Sequence, residues 1–413
     1  MRMMLILACA LIGLLAGPAR AQAPITIGFG MALTGGLAPN GKAALLAMQI
    51  WAEEVNAKGG LLGRPVKLIY YDDQSNPATV PSIYTKLLDV DKVDLVVSGY
   101  ATNMTAPAMP VVMQHNRTFL SLFALAVNTE FNYPNYFSVT PTGGPQPKQS
   151  FSQGFFEVAM RQTPQPKTLA LVGADAEFPH NALDGARVLA KQAGLKVVYD
   201  KSYPPSTTDY TPIVRAIQAI QPDLVFVASY PPDTVGMIRA AHEVGLKAKL
   251  FGGGMVGLQS TAIKAQLGPL LNGIVDYDFW LPWASFASPE ATAFLKIYQS
   301  RAPGAGVDPL GYYLPPFAYA YMQVLQQAVE GTKSLDQDKL ADYLRTHTFK
   351  TTAGDIKFAP GGEWAEARVM EVQFRDLKNN EVSQFTDPST EAILWPPHDK
   401  TGDVVYPYTD ARQ

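Results

Sequence analysis

Cysteine is almost absent from this chain of 413 residues, since the only one, Cys9, lies near the N-terminus. If the N-terminal segment is removed, no thiol remains, and the sequence then excludes disulfide bonds, a cysteine nucleophile and zinc–thiolate sites. An excess of one charge is lacking as well, because 33 Lys and Arg residues are balanced by 36 Asp and Glu residues and no basic cluster is visible. Nucleic acid is therefore not an expected partner.

Long hydrophobic runs are also missing. The apolar run at 3–15 is shorter than the roughly 20 residues that a membrane-spanning helix needs. It follows Arg2 and precedes Ala-Arg-Ala at 19–21, the A-x-A pattern of a signal-peptide cleavage site. We therefore expect residues 1–21 to be a signal peptide and the mature protein to be soluble and periplasmic. A retained N-terminal anchor is the alternative.

Strand-like and helical patterns alternate along the rest of the chain, which is typical of parallel α/β architecture. The predicted strands are 25–31, 66–71, 94–98, 118–122, 168–172, 196–203, 223–228, 250–252, 273–277 and 369–375. The clearest predicted helices are 42–58, 289–301, 314–331 and 336–347. A Pro/Gly-rich stretch at 140–145 separates two series of strands and predicts a hinge crossing. The length suits about two domains.

No catalytic constellation is visible. The G-x-G-x-x-G match at 252–257 lies deep in the second half of the chain and is interpreted as a glycine-rich turn, not a dinucleotide site. The five histidines are scattered, without a pair at metal-ligand spacing, and His180 near Asp175 and Glu177 is interpreted as part of a solvated loop. We therefore predict no catalytic residues, no metal site, no cofactor and no enzymatic activity.

Several runs carry a resemblance to a known family. They are TGGLAPNG at 34–41, EVNAKGGLLGRPV at 54–66, YDDQSNP at 71–77, VVSG at 96–99, TAP at 105–107, DLVF at 223–226 and IRAA at 238–241. In this order and spacing they resemble the periplasmic leucine/isoleucine/valine-type binding proteins of ABC transporters. The resemblance covers about 25–331, and the C-terminal tail is only loosely similar.

This resemblance implies an α/β type I periplasmic binding protein fold, in which two Rossmann-like lobes are joined by a three-crossing hinge and close on a ligand. By analogy, lobe 1 comprises 22–144 and 278–355, and lobe 2 comprises 145–277 and 356–413. The implied partners of such a monomer are a small-molecule carboxylate and membrane ABC permease subunits. The same fold also serves as a periplasmic sensor for a membrane partner, and the sequence leaves that alternative open.

The resemblance also implies ligand-binding positions. It places a ligand carboxylate on the loop after the third strand, at Tyr100, Ala101 and Thr102, where the unpaired N–H groups of a helix start favour an anion. Thr102 is the preferred carboxylate contact, and N-capping is its alternative role. The other implied ligand-binding residues are Asn40, Phe123, Ala124, Leu125, Phe178, Tyr230, Gly254 and Met255. Further candidates for the cleft wall are Trp280, Trp283, Tyr312 and Tyr313.

Two positions depart from the amino-acid-binding pattern. Relatives hold the α-amino group with small hydroxyl residues where this chain has Phe-Ala-Leu at 123–125, and with an acid where it has Gly254. Burying an ammonium without its partner charge would cost about 3–5 kcal/mol. We therefore expect an aromatic or branched acid without an α-amino group. Alternatively, Asp276 or Asp278 serves the ammonium, and branched-chain or other hydrophobic amino acids bind.

Overall fold

The computed structural model describes residues 22–412, so the predicted signal peptide at 1–21 lies outside the described residues. The strands in this range are β1 (Ile25–Met31), β2 (Val66–Asp72), β3 (Leu95–Tyr100), β4 (Phe119–Leu122), β5 (Tyr136–Val139), β6 (Thr168–Ala174), β7 (Lys196–Tyr203), β8 (Leu224–Ser229), β9 (Leu250–Met255), β10 (Val275–Asp278), β11 (Thr348–Thr351), β12 (Gly354–Lys357), β13 (Met370–Phe374) and β14 (Glu391–Trp395). The α-helices are α1 (Ala38–Ala57), α2 (Val80–Thr85), α3 (Thr102–Thr105), α4 (Met109–Gln114), α5 (Asn128–Phe131), α6 (Pro147–Met160), α7 (Glu177–Gln192), α8 (Thr211–Ile220), α9 (Pro231–Val244), α10 (Thr261–Leu267), α11 (Pro289–Ala305), α12 (Pro315–Thr332) and α13 (Gln337–Thr346). No helix within this range is long and apolar enough to cross a bilayer.

The first sheet is parallel throughout, with strand order β2-β1-β3-β4-β5. Its central strands are buried along nearly their whole length, as expected when helices cover both faces. One of these helices, α1, begins at Ala38 rather than at the predicted residue 42, because Pro39 is tolerated in a first helical turn. Gly41 then packs directly on the Ala32 carbonyl, where a Cβ atom would overlap it.

The segment that follows β10 returns to this sheet and packs against it through α12. Helix α12 packs against α1, and the Trp51 indole N–H on α1 donates to the Gln326 side chain on α12 at 3.1 Å. Trp51 is fully buried. The later part of the chain therefore completes the core that the first strands begin.

The second sheet has seven strands in the order β14-β13-β10-β9-β8-β6-β7. Strands β10, β9, β8, β6 and β7 are parallel to one another. At one edge, β13 pairs antiparallel with β10, and β14 pairs antiparallel with β13. The predicted strand 369–375 is β13, whereas β14 was not predicted. A buried ion pair of 2.8 Å between Lys264 and Glu391 joins α10 to β14. The C-terminal tail is thus built into the second sheet.

The chain passes between the two sheets three times. It leaves the first sheet after β5, leaves the second after β10, and returns from the β11–β12 hairpin to β13. The Pro/Gly-rich stretch at 140–145 lies in the first passage, as predicted. Two sheets joined by three passages is the arrangement that the family resemblance implies.

Candidate ligand-binding cleft

The carboxyl ends of strands from both sheets meet at one cleft, which is where open α/β sheets bind ligands. We call its enclosed part the inner cavity. It is lined by Tyr100, Ala101, Thr102, Phe123, Leu125, Thr140, Thr142, Phe151, Phe178, Tyr230, Val256, Tyr277, Phe279 and Tyr313. Eight of these fourteen residues are aromatic, and within the described chain the lining includes no Asp, Glu, Lys, Arg or His. The cavity therefore presents rings and hydroxyls without a formal charge.

Backbone geometry at two strand ends shapes the wall of the cavity. Ala101 follows β3 with φ 89°, and Phe123 follows β4 with φ 53°, both in a region that L-residues rarely adopt. Such conformations persist only where surrounding structure enforces them, and they cluster at ligand sites. Here the ring of Phe123 makes edge contacts with Tyr313 and Phe279, with centroid distances of 4.9 and 5.0 Å.

Thr102 is the first residue of α3 and is fully buried. Its hydroxyl oxygen accepts the Leu125 backbone N–H at 3.0 Å, which joins the loops after β3 and β4. The N-cap position belongs to Ala101, so Thr102 does not cap the helix. No hydrogen bond among the described residues uses the hydroxyl proton of Thr102, and this proton can be donated to an acceptor in the cavity.

Replacing Thr102 with valine is expected to lower the free energy of unfolding by about 1–3 kcal/mol, because it leaves the buried Leu125 N–H without an acceptor. Urea unfolding monitored by circular dichroism measures the change. The matched control is Thr102→Ser, which keeps the acceptor and should preserve most of the stability. Equal stability of the valine variant and the wild type would contradict this role of Thr102.

Tyrosine hydroxyls form a second polar group in the wall. The Asn40 side-chain N–H donates to Tyr100 at 3.1 Å, and the hydroxyls of Tyr277 and Tyr313 lie 2.9 Å apart. Burial raises the pKa of Tyr100 above its ordinary value, so this phenol stays neutral and can donate. Asn40 lies behind Tyr100, against a neighbouring small cavity, and positions that hydroxyl without lining the inner cavity itself.

Three other predicted positions lie behind the cavity wall. A Cβ atom on Gly254 would lie 3.2 Å from the ring of Phe151, and it is Phe151, from α6, that lines the cavity. Met255 is fully buried in the core of the second sheet. The Ala124 N–H donates to the Thr140 hydroxyl at 2.9 Å. Seven of the eleven predicted residues therefore line the inner cavity, and Asn40, Ala124, Gly254 and Met255 do not.

The two acids considered as ammonium partners are engaged elsewhere. Asp276 accepts the Met255 N–H at 2.8 Å, and burial raises its pKa well above the ordinary value. Asp278 accepts the backbone N–H groups of Phe279 and Trp280, and burial, reinforced by Glu391, raises its pKa. Neither carboxyl group lines the inner cavity.

His180, interpreted from sequence as part of a solvated loop, lies in α7 with its Nε2 2.9 Å from Asp175. No cluster of three or more His, Cys, Asp or Glu side chains in residues 22–412 is arranged to hold a metal ion.

Two hydrogen bonds join opposite sides of the cleft. The Asn181 side chain on α7 donates to the Leu125 carbonyl at 2.9 Å, and the Tyr230 hydroxyl donates to the Asn103 side chain at 2.7 Å. Tyr230 and Asn103 also line a wider outer cavity. The inner cavity has a volume of about 20 Å³, against about 490 Å³ for the outer cavity. The side chains of its lining therefore nearly fill the inner cavity.

Six of the fourteen residues that line the inner cavity were not predicted from the sequence. Tyr313 was one of four candidates for the wall, while Trp280, Trp283 and Tyr312 lie outside the lining. The lining residues that were not predicted are Thr140, Thr142, Phe151, Val256, Tyr277 and Phe279. All but Phe151 lie at or just after the end of a strand. A prediction of strand β5 would have indicated Thr140 and Thr142 as candidates.

Comparison with known proteins agrees with this architecture. Residues 24–376 match the family described as periplasmic binding protein. The leucine-, isoleucine-, valine-, threonine- and alanine-binding protein of Pseudomonas aeruginosa is 24% identical over 80% of this chain and 84% of its own length.

Two solved structures with the same fold hold different kinds of ligand. An isoleucine complex of a branched-chain amino acid substrate-binding protein from Streptococcus pneumoniae has a TM-score of 0.70 and 20% identity, covering 86% of this chain and 97% of that one. A benzoate complex of a solute-binding protein from R. palustris has a TM-score of 0.74 and 16% identity, covering 90% and 96%. The predicted type I periplasmic binding protein fold is confirmed. The chain belongs to the periplasmic binding protein family, whose members are extracytoplasmic substrate-binding components of ABC transporters and not enzymes.

Proposed function

We propose that this protein captures a small carboxylate that lacks an α-amino group and has an aromatic or branched apolar body, and presents it to a membrane ABC permease. The observation that carries this assignment is the composition of the inner cavity, which combines hydroxyl donors with eight aromatic side chains and no carboxylate. An acidic ligand finds donors there, but an ammonium group finds no opposite charge.

The hydroxyl groups suit a carboxylate because ionised acceptors form the stronger hydrogen bonds. Thr102 has a proton to donate, and its oxygen already accepts the Leu125 N–H, so the hydroxyl is oriented before the ligand arrives. The apolar body would then lie among Phe123, Phe151 and Phe178, which surround the cavity. Stacked and edge-on ring contacts favour an aromatic ligand at such a place.

In this proposal, lobe 1 of the protein comprises 22–144 and 278–355, and lobe 2 comprises 145–277 and 356–413. A ligand bridging them would add to the contacts that Asn181 and Tyr230 make across the cleft, and so favour the closed form. Recognition of that closed form by permease subunits completes the proposed cycle. The mature protein acts in the periplasm in this proposal, after removal of residues 1–21.

Isothermal titration calorimetry tests the ligand class. Benzoate, 4-hydroxybenzoate and phenylpyruvate are titrated into the purified mature protein, with leucine and valine under the same conditions. We expect at least one of the acids without an α-amino group to bind more tightly than either amino acid. Tighter binding of leucine or valine than of all three acids would overturn the proposal.

The second candidate is a receptor for hydrophobic amino acids. It is favoured by the name of the Pseudomonas aeruginosa relative, which states that it binds leucine, isoleucine, valine, threonine and alanine. The R. palustris structure, in complex with benzoate, favours the first candidate. Because both likenesses are below 25% identity, the composition of the cavity is the stronger basis for a choice.

A further inference from the structure

The first passage between the sheets brings two hydroxyl groups to the inner cavity. Thr140 and Thr142 follow β5 directly, line the cavity and are buried. The Pro/Gly-rich pattern of this stretch by itself predicts only a hinge crossing. The hydrogen bonds of these two threonines indicate a second role.

Thr140 is saturated as an acceptor. Its oxygen receives the Ala124 N–H at 2.9 Å and the Ser138 hydroxyl at 2.9 Å. A hydroxyl oxygen has two lone pairs, so the group that Thr140 still offers is its proton. An anionic oxygen in the cavity would be a suitable partner, whereas a cation would not.

Thr142 differs from nearly all buried threonines. It is fully buried, yet its hydroxyl forms no hydrogen bond with any residue in the described part of the chain. Buried polar groups in native proteins are almost always paired, so an unpaired one at a cavity wall indicates a partner that comes from outside the chain. Because Thr142 lies in the lining of the inner cavity, an oxygen of a bound ligand is the partner that we consider for its hydroxyl.

The backbone around Thr142 joins two of the three passages. Thr142 forms an antiparallel bridge with Ala367, and the Arg368 N–H donates to the Pro141 carbonyl at 2.8 Å. The Gly144 N–H donates to the Trp364 carbonyl at 2.8 Å, and Gly143 lies so close to Trp364 that a Cβ atom would overlap it. Backbone contacts between the first and third passages therefore hold Thr142 in place.

We propose that Thr142 is a ligand-binding residue carried by the hinge, and that its hydroxyl donates a hydrogen bond to an oxygen of the bound carboxylate. Thr140 donates to the same anionic group from two residues away. Because the ligand would then be bonded to the hinge itself, its binding favours one hinge conformation directly, in addition to bridging the lobes. This role rests on the carboxylate ligand proposed above.

The test compares Thr142→Val, which keeps the shape of the side chain and removes the hydroxyl, with Thr142→Ser, which keeps the hydroxyl. Benzoate and leucine are the probes in calorimetry, and thermal unfolding is measured without ligand. For whichever probe the wild type binds, Thr142→Val is expected to weaken binding by about tenfold to hundredfold, the effect of losing a hydrogen bond to a charged group. Thr142→Ser is expected to restore most of the affinity.

Unfolding of the ligand-free variant separates a binding role from a structural one. Since the Thr142 hydroxyl has no partner among the described residues, its removal should leave the melting temperature of Thr142→Val unchanged or raise it. The matched control is Thr118→Val, which removes a buried hydroxyl that donates to the Gln337 carbonyl at 2.5 Å. That variant should melt at a lower temperature and bind the probe as the wild type does.

Two results would overturn the role of Thr142: wild-type affinity in Thr142→Val, or a melting temperature of that variant below the wild-type value. The failure of the proposed function is a different result. If the wild type binds leucine more tightly than benzoate, 4-hydroxybenzoate and phenylpyruvate, the ligand class is wrong, while the comparison of Thr142 variants with leucine still decides whether the hinge hydroxyl binds a carboxylate. A wild type that binds none of these compounds overturns both proposals.

Discussion

Leucine is expected to bind about 100-fold or more weakly than 4-methylpentanoate, which has the same side chain and carboxylate but no amino group. The reason is the inner cavity, whose lining residues within the described chain offer no negative charge to an ammonium. Leaving a buried charge without its partner costs about 3–5 kcal/mol, and every 1.4 kcal/mol is about a factor of ten in affinity. Calorimetric titration of both compounds into one protein preparation measures the ratio directly.

A second matched pair controls for the shape of the ligand. Phenylalanine and 3-phenylpropanoate differ in the same amino group but carry a ring, so the two pairs should show a similar ratio even if their absolute affinities differ. A leucine affinity equal to or higher than that of 4-methylpentanoate would contradict the expectation. It would indicate that a carboxyl group outside the inner lining, such as that of Glu177 or Asp233 in the outer cavity, reaches the ammonium group.

Glu363 is expected to make the stability of the protein depend on pH. Its side chain is buried, and neither carboxyl oxygen has a hydrogen-bond partner among the described residues. Burial raises the pKa of Glu363 from 4.5 to about 8. The folded protein therefore holds a proton that the unfolded chain releases above pH 4.5.

The sign of the effect follows from this difference in bound protons. The stability contributed by Glu363 is complete below its unfolded pKa of 4.5 and is lost as pH rises through the folded value of about 8. At about 1.4 kcal/mol per pKa unit, the loss amounts to roughly 3–5 kcal/mol. Glu363→Gln, which is neutral at every pH, should therefore gain stability relative to the wild type by this amount between pH 4.5 and pH 8.

Urea unfolding of both proteins at several pH values measures this change. The matched control is Glu366→Gln, three residues further along the chain, because the Glu366 side chain is exposed. Its stability relative to the wild type should stay nearly constant over the same range. A constant difference between Glu363→Gln and the wild type would show that Glu363 is ionised in the folded protein.

Local sequence patterns were sufficient for the longer elements. The predicted bounds of β1 and β7 agree with the structure residue for residue, and the helical spacing of Ala44, Met48, Trp51 and Val55 marks the buried face of α1. These elements have strong periodicity or continuous apolar runs, which act over short distances along the chain. The order of family motifs then led to the correct fold.

Short elements and contacts distant in sequence were not predictable in this way. Strand β5 has only four residues, too few for a periodic pattern, and missing it left Thr140 and Thr142 without a role beyond the hinge. Gly254 was expected in the ligand site from its place along the chain. Packing decided otherwise, because Phe151 from α6 lies against Gly254 and lines the inner cavity itself.

The fold and the family of this protein could be predicted, since both depend on patterns and motifs that lie within single elements. The set of side chains that surrounds the inner cavity could not, because it depends on how distant elements pack together. Its lining comes from strand ends in two sheets, from α6 and α7, and from the segment before α12, over a span from Tyr100 to Tyr313. These residues lie together because parallel strands end at a common edge and the three passages bring the edges of the two sheets together. No local pattern in the sequence specifies how the two edges are placed.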